Sequence, residues 1–294
     1  MKKILFKGCG TAICTPFNES GVNILEFEKL VESQIQNNID SIIVCGTTGE
    51  SSTMTKDEKI SVIKSAVKIS NGRVPIIAGT GGNNTKEVIQ NSILAQNLGV
   101  NGLLIVTPYY NKCTQEGLIK HYTEISKNVS IPIILYNVPS RTGVNIEPET
   151  CLELSKIQNI VAIKEASGNL SQVAKIANLC KNNLNIYSGN DDQILPVLSL
   201  GGIGVISVLS NLLPRYTHDI TNNFFEGNLE KSIKMQLDVI PLIDILFSEV
   251  NPIPVKEGLN ILGFEFGIPR LPLTKLNSDK INILKKEIDT ANKL

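Results

Sequence analysis

Short apolar runs recur along the chain at the interval expected of βα units. They begin near Thr11, Ile42, Pro75, Leu103, Pro132, Ile160, Asn185 and Ile203. Amphipathic segments between the runs predict helices over Ile24–Asn37, Lys56–Ser70, Thr85–Leu98, Gln115–Lys127, Leu170–Cys180 and Asp191–Leu200. Strands alternating with helices form a parallel sheet. Eight such units, ending near residue 222, predict a (β/α)8 TIM barrel.

The remaining sequence, from about residue 229 to residue 294, is helical in pattern and exceeds what a barrel needs. The stretch Asn251-Pro252-Ile253-Pro254 must interrupt it, because proline is poorly tolerated inside a helix. We therefore expect residues 1–225 to form the barrel. Residues 226–294 are expected to form a C-terminal helical region packed on it.

Charge and composition exclude several classes of function. Of the 294 residues, 28 are Lys or Arg and 28 are Asp or Glu, without basic runs. Such a chain has no electrostatic footprint for nucleic acid or for an anionic membrane. The first apolar run stops after three residues at Lys7, short of a signal peptide, and no run approaches a membrane span. A cytoplasmic protein is expected.

The cysteines and histidines suggest no metal site. Six cysteines are scattered without a CxxC motif, which favours reduced, structural thiols, although Cys14 or Cys45 could still be a nucleophile. The only histidines, His121 and His218, have no nearby ligand in the sequence and are expected at the surface or at helix ends. The sequence gives no sign of a metal or organic cofactor, and none is expected.

A lysine is carried into the end of a strand-like run, Asn159–Gly168. Lysine is rarely buried without a partner, because its ammonium group is costly to desolvate. Either Lys164 pairs with an acid at the mouth of a pocket, or its amine forms a Schiff base with a carbonyl substrate. The strand by itself favours the ion pair.

Polar motifs at other strand ends reverse that preference. They follow the second, fourth and fifth strands as Gly46–Thr53, Thr107–Asn111 and Tyr136–Gly143. Each by itself could be an ordinary loop, helix cap or packing contact. Together they place Thr47, Tyr136, Arg141 and Lys164 at strand ends, which a barrel brings to one face. A hydroxyl, a phenol, a guanidinium and an amine suit a keto-acid site.

Several motifs in the same order also resemble a known family. They are Gly46–Ser51, Thr107–Asn111, Tyr136–Gly143, Ile163-Lys164-Glu165-Ala166, Ser188-Gly189-Asn190-Asp191, Gly201–Val208 and Asn251–Lys256. The chain resembles the dihydrodipicolinate synthase family, in the pyruvate-dependent Schiff-base aldolase superfamily, over essentially its whole length. The resemblance implies a lyase that condenses pyruvate with L-aspartate 4-semialdehyde in diaminopimelate and lysine biosynthesis.

The resemblance also implies roles for residues. The implied catalytic residues are Lys164 as the Schiff-base lysine, Tyr136 as the proton shuttle, and Thr47 and Tyr110 as the rest of the relay. The implied substrate-binding residues are Thr48 for pyruvate, Arg141 for the carboxylate of the semialdehyde, and the carbonyls of Gly189 and Ile206. Tyr110 is expected from a neighbouring subunit, because the family is usually a homotetramer built as a dimer of dimers.

Two alternatives remain at this point: N-acetylneuraminate lyase or another pyruvate aldolase, and a non-catalytic barrel that binds keto acids. Arg141 favours the synthase, because a guanidinium matches a carboxylate, whereas a sugar-cleaving enzyme needs groups that bind hydroxyls. The pair Thr47-Thr48 agrees, since neuraminate lyases typically carry serine before the threonine.

Regulation is a point of departure from the family pattern. The lysine-binding positions of inhibited members correspond to Ser51, Ser52, Lys56, Lys59, Asn83, Glu87 and Tyr109. Asn83, Glu87 and Tyr109 suit an amino acid. Lys56 and Lys59 stand where inhibited members often have histidine, and their charge opposes a lysine side chain. We therefore predict weak or absent inhibition by lysine.

Overall fold

A closed, eight-stranded parallel barrel forms the body of the protein in the computed structural model, which describes residues 2–294. The strands are β1 (Gly8–Ala12), β2 (Ser41–Val44), β3 (Ile76–Gly79), β4 (Gly102–Val106), β5 (Ile133–Asn137), β6 (Ile160–Glu165), β7 (Asn185–Ser188) and β8 (Gly204–Ser207). Each strand pairs with the next, and β8 pairs with β1 to close the ring. The predicted TIM barrel is confirmed.

Helices alternate with the strands and surround the barrel. They are α1 (Ile24–Gln36), α2 (Lys56–Ser70), α3 (Thr85–Asn97), α4 (Gln115–Lys127), α5 (Pro148–Ser155), α6 (Leu170–Cys180), α7 (Ile194–Ser199) and α8 (Pro214–Phe225). The predicted bounds agree within one residue for α1 to α4 and for α6. The predicted segment Asp191–Leu200 is instead a 3-10 turn followed by α7. Thr55 and Glu58 form a capping box at the start of α2.

Side chains alternate between the barrel interior and the surrounding helices. On β6, Ala162 belongs to the interior cluster, whereas Ile163 packs against the outer, helix-facing core. At the amino-terminal end of the barrel, Phe6 stacks on Tyr187 with ring centroids 4.4 Å apart. The Tyr187 hydroxyl donates a hydrogen bond of 2.6 Å to the Phe6 carbonyl. Both side chains are buried and belong to the cluster that fills the barrel interior.

Four helices follow the barrel: α9 (Leu229–Asp238), α10 (Ile240–Leu246), α11 (Ile253–Ile261) and α12 (Ser278–Ala291). The predicted interruption near residue 251 is present, although Pro254 lies in the first turn of α11, where its missing N–H costs nothing. The expectation that the pattern is otherwise helical is wrong for residues 262–277. Gly263 and Gly267 have positive φ angles there, and the Phe266 carbonyl accepts a hydrogen bond from the Phe17 amide. This stretch returns to the barrel instead of continuing a helix.

Helix α8 ends at residue 225, and α9 begins four residues later. We propose the division into a barrel (1–225) and a C-terminal helical region (226–294) on that basis. Within residues 2–294, no helix combines the length and apolarity that a membrane crossing would need.

The expected location of His121 at the surface or at a helix end is wrong. His121 lies within α4 and is buried, with Nδ1 2.9 Å from the Thr85 hydroxyl. Burial lowers the pKa of His121 to about 4, because the charged ring would lose its hydration. His218 lies within α8 and is half-buried, with Nδ1 2.9 Å from an Asp40 carboxylate oxygen. That hydrogen bond raises the pKa of His218.

Candidate active site

Lys164 and Tyr136 lie side by side at the carboxyl ends of β6 and β5. The two residues are register partners in the sheet, and both project into the barrel interior. The Lys164 amine lies 4.6 Å from the centroid of the Tyr136 ring, and the two side chains are 5% and 7% exposed. Within residues 2–294, no carboxylate lies within ion-pair distance of this amine. The ion-pair interpretation of Lys164 therefore fails, and its amine lies beside a phenol ring.

Glu165, the next residue, points away from the barrel interior and holds the two strand ends in register. Its carboxylate accepts hydrogen bonds from Asn137 Nδ2 at 3.0 Å, from the Ser167 amide at 2.7 Å and from Gln172 Nε2 at 3.1 Å. A buried carboxylate needs such donors, because it has lost its water. The network joins the end of β5 to the end of β6 and α6, and so aligns the two interior side chains.

A cavity of about 180 Å³ opens directly above these side chains. Six of the eight predicted catalytic and substrate-binding residues line it: Lys164, Tyr136, Thr47, Thr48, Arg141 and Gly189. Ile206 lies on β8 with its side chain fully buried in the barrel interior, and it is not among the residues that line the cavity; the role predicted for its carbonyl stays a prediction. Tyr110 is 92% exposed and does not line the cavity in a single chain.

The position of Gly189 requires the absence of a side chain. Its amide donates a hydrogen bond of 2.7 Å to the Glu165 carbonyl. A Cβ atom at this position would lie 2.5 Å from the Cβ of Ala166, far inside van der Waals contact. The ends of β6 and β7 therefore approach each other closely beside Lys164. Glycine permits this approach and leaves the wall of the cavity to the backbone.

Two residues suited to carboxylates, Arg141 and Thr48, line the cavity and are bridged by Asn251. Arg141 lies on a one-turn helix, Pro139–Thr142, and its Nη2 donates a hydrogen bond of 3.2 Å to the Asn251 carbonyl. Asn251 Nδ2 donates in turn to the Thr48 hydroxyl at 3.0 Å. Sequence reasoning found Thr48 and Arg141 but not the contact made by Asn251, which also lines the cavity. The only signal was the position of this asparagine in a matching motif.

The cysteines that could have competed as nucleophiles are poorly suited to the role. All six are free thiols, and only Cys113 is not buried. Burial raises the pKa of Cys45 to about 12 and raises that of Cys14 further, which opposes formation of the reactive thiolate. Within residues 2–294, no group of three or more His, Cys, Asp or Glu side chains could hold a metal ion.

The predicted regulatory residues lie beside the cavity lined by Lys164 and Tyr136, called the active cavity below. A cavity of about 240 Å³ is lined by Ser51 and Glu87 together with Lys56 and Lys59. A smaller one, of about 190 Å³, is lined by Ser51, Lys59 and Tyr109, and it shares Thr47 and Tyr136 with the active cavity.

Asn83 lines neither of these two cavities, and its Nδ2 donates a hydrogen bond of 3.1 Å to the Tyr109 carbonyl. The structure therefore brings Ser51, Glu87 and Tyr109 to neighbouring cavities, while Asn83 supports the backbone next to them.

Comparison with known proteins agrees with this geometry. A family model described as the dihydrodipicolinate synthetase family matches residues 5–291. The 4-hydroxy-tetrahydrodipicolinate synthase of Caldicellulosiruptor saccharolyticus is 58% identical over 285 residues, covering 97% of this chain and 96% of that protein. The structure of the Thermotoga maritima dihydrodipicolinate synthase is 41% identical with a TM-score of 0.97, covering 99% and 100% of the two chains. A monomeric dihydrodipicolinate synthase variant also matches at 41% identity and a TM-score of 0.97, covering 99% and 98%.

Proposed function

Since the chain belongs to the dihydrodipicolinate synthetase family, we propose that the cavity at Lys164 condenses pyruvate with L-aspartate 4-semialdehyde through a Schiff base. The reaction is that of a 4-hydroxy-tetrahydrodipicolinate synthase, a lyase of diaminopimelate and lysine biosynthesis. The observation that carries the proposal is the buried Lys164 amine, free of any ion pair with residues 2–294, beside Tyr136 and at the floor of the cavity.

Imine formation uses the inner half of the cavity. The Lys164 amine attacks the keto carbon of pyruvate, and loss of water from the resulting carbinolamine leaves a protonated imine. Tyr136 passes protons to and from the departing oxygen, and Thr47 connects its hydroxyl to the next donor in the relay. Thr48 holds the pyruvate carboxylate. The backbone at Gly189 borders the substrate.

Carbon–carbon bond formation uses the outer half. The protonated imine draws electrons from the methyl group, and loss of a methyl proton gives an enamine. The enamine carbon attacks the aldehyde carbon of the semialdehyde, whose carboxylate is held by Arg141 through charge-assisted hydrogen bonds. The substrate amine then attacks the imine carbon, closes the ring and releases Lys164.

Assembly and cellular location are part of the same proposal. We propose a cytoplasmic homotetramer, a dimer of dimers, in which Tyr110 completes the relay of a neighbouring subunit. The exposure of Tyr109 and Tyr110 and the positive φ angle of Tyr110, 71°, support a strained, outward-facing loop held for an interface. Sedimentation velocity on the purified protein tests the assembly, and a stable monomer with full activity would exclude the role of Tyr110.

The imine is tested by trapping with borohydride. Incubation with pyruvate and sodium borohydride should attach a reduced pyruvyl group, and peptide mass mapping should place it on Lys164. The variant Lys164→Arg keeps the positive charge but cannot form the adduct, and it should remain unlabelled. Labelling of another lysine, or no labelling of the wild type, would count against the proposal.

The acceptor is tested separately. With pyruvate saturating, L-aspartate 4-semialdehyde and N-acetylmannosamine should be compared as acceptors. Only the semialdehyde should be consumed at an appreciable rate, because Arg141 offers a partner for its carboxylate. Faster use of N-acetylmannosamine would favour the neuraminate lyase alternative. Imine trapping without turnover of either acceptor would indicate a barrel that only binds keto acids.

A further inference from the structure

One asparagine contacts both of the groups assigned to substrate carboxylates. The Asn251 backbone carbonyl accepts a hydrogen bond from Arg141, and its side-chain amide donates one to Thr48. Asn251 precedes α11, about two hundred residues along the chain from Thr48, and both side chains line the active cavity. The C-terminal helical region therefore reaches into the catalytic face of the barrel at this residue.

The direction of the hydrogen bond between Asn251 and Thr48 determines what Thr48 can do. A hydroxyl has one proton to donate and lone pairs that accept. Because the Thr48 oxygen accepts from Nδ2 of Asn251, its proton is not used in that contact. Thr48 is almost fully buried, and the cavity lies beside it. A carboxylate only accepts hydrogen bonds. A hydroxyl that points its proton into the cavity therefore attracts a carboxylate, whereas a hydroxyl that points a lone pair into the cavity repels it.

We propose that Asn251 is a positioning residue that fixes the Thr48 hydroxyl as a hydrogen-bond donor toward the carboxylate of pyruvate. The inference rests on the proposed function, because it names what selects the carboxylate of that substrate. Asn251 acts through Thr48, while its backbone carbonyl anchors Arg141 on the neighbouring side of the cavity. A single residue thus links the two carboxylate positions.

The test reverses the direction of the hydrogen bond between residue 251 and Thr48 with little change in the shape of the side chain. In Asn251→Asp a carboxylate replaces the amide, accepts the Thr48 proton and leaves the hydroxyl oxygen facing the cavity as an acceptor. In Asn251→Leu the side chain of residue 251 makes no hydrogen bond, so the Thr48 hydroxyl is not fixed as a donor or as an acceptor. The readout is the pyruvate concentration that half-saturates borohydride trapping on Lys164, measured with kcat and with the thermal unfolding midpoint of each variant.

We expect Asn251→Asp to raise the half-saturating pyruvate concentration more than about tenfold, and Asn251→Leu to raise it by about threefold to tenfold. The extent of trapping at saturating pyruvate should change little. The added charge of Asp could repel pyruvate directly, so both variants are repeated with Thr48→Val. The ratio of the half-saturating concentration in Asn251→Asp to that in Asn251→Leu should then be smaller than it is with Thr48 present, because the hydroxyl is absent.

Three results would overturn the assignment. Wild-type half-saturation in Asn251→Asp would mean that Thr48 donates to residue 251 in the native protein. An equal Asp-to-Leu ratio with Thr48 and with Thr48→Val would mean that charge repulsion alone is responsible. If Asn251→Asp does not fold, unchanged half-saturation in Asn251→Leu would overturn it equally. Failure of the wild type to be trapped by pyruvate would instead count against the proposed function.

Discussion

Lys256 Nζ lies 2.6 Å from Oε1 of Glu50, and both side chains are only 1% exposed. This ion pair joins α11 to the loop after β2 that carries Thr47 and Thr48. Glu50 adopts a left-handed backbone conformation, with φ of 53°, and its other carboxylate oxygen accepts a hydrogen bond of 2.9 Å from the Arg270 amide. A buried non-glycine residue in that conformation must be held by its surroundings. The C-terminal helical region therefore fixes the shape of a loop in the active site.

The first prediction is that Lys256→Met destabilises the fold by about 3–5 kcal/mol, because it leaves the Glu50 carboxylate buried without its partner. Burial lowers the pKa of Lys256 and the Glu50 charge opposes that shift, so removing either partner exposes the other to an uncompensated cost. The measurement is the free energy of unfolding in urea. The exposed pair of Lys120 with Glu116 offers a matched control, since Lys120→Met should cost less than about 1 kcal/mol.

The double variant Glu50→Gln with Lys256→Met removes both charges and should recover part of the stability lost in Lys256→Met. A loss below about 1 kcal/mol in the single variant would show that this pair does not hold the loop.

The second prediction concerns Arg141. The variant Arg141→Ala should leave trapping of pyruvate on Lys164 intact and raise the KM for aspartate semialdehyde by roughly 10- to 100-fold, since a hydrogen bond to a charged group contributes about 1.5–3 kcal/mol. Steady-state kinetics at saturating pyruvate measure the effect. The variant Arg141→Lys keeps the charge but not the planar, two-pronged guanidinium, and its KM should lie between those of the wild type and Arg141→Ala. Loss of trapping itself in Arg141→Ala would show that the assignment to the second substrate is wrong.

The third prediction concerns the two histidines, because their environments lower the pKa of His121 and raise the pKa of His218. The folded-state pKa of His121 is lowered to about 4, below its unfolded value of about 6.5. The unfolded chain therefore binds the proton first, and stability should fall as pH drops from about 6.5 to about 4. The loss should amount to roughly 1–3 kcal/mol. His121→Gln should lack this decline in urea unfolding measured across that range.

His218 serves as the internal control. Its hydrogen bond to Asp40 raises its folded-state pKa, so its contribution to stability is present below about pH 6.5 and is lost as pH rises through the raised value. His218→Gln should therefore be most destabilising at acid pH and least destabilising at alkaline pH. Parallel pH profiles for the two variants would contradict both assignments.

The local patterns in the sequence were sufficient to bring Lys164 and Tyr136 together at neighbouring strand ends. A buried strand alternates its side chains, so a lysine and a tyrosine near the ends of neighbouring strands can share the barrel interior. The pairing of β5 with β6 places Tyr136 opposite Lys164, as expected when side chains alternate along each strand. The bounds of α1 to α4 and of α6 followed equally well from amphipathic spacing and caps, because those signals lie within one or two turns.

The contacts that sequence reasoning missed depend on residues far apart in the chain. Asn251 and Thr48 are separated by 203 residues, and Lys256 and Glu50 by 206. No periodicity or cap connects such positions, since the contact exists only after the C-terminal helices dock. The burial of His121 was missed for a related reason: α4 packs it beside Thr85 on the preceding helix, and a lone histidine carries no sign of that neighbour.

The last prediction is that lysine inhibits weakly or not at all. Lys56 and Lys59, three residues apart on α2, line the cavity of about 240 Å³ together with Glu87. Two lysines and one glutamate thus line this cavity, so the side chain of a bound lysine would meet like charge. Initial rates should give an inhibition constant above about 1 mM, which corresponds to binding weaker than about −4 kcal/mol. Replacing the two residues, as Lys56→His with Lys59→His, should lower that constant by at least about threefold, because it removes charge from the wall. Lys68→His, on the same helix but away from the cavity, should leave it unchanged. Inhibition of the wild type below 1 mM would show that the charges of Lys56 and Lys59 are turned away from the ligand.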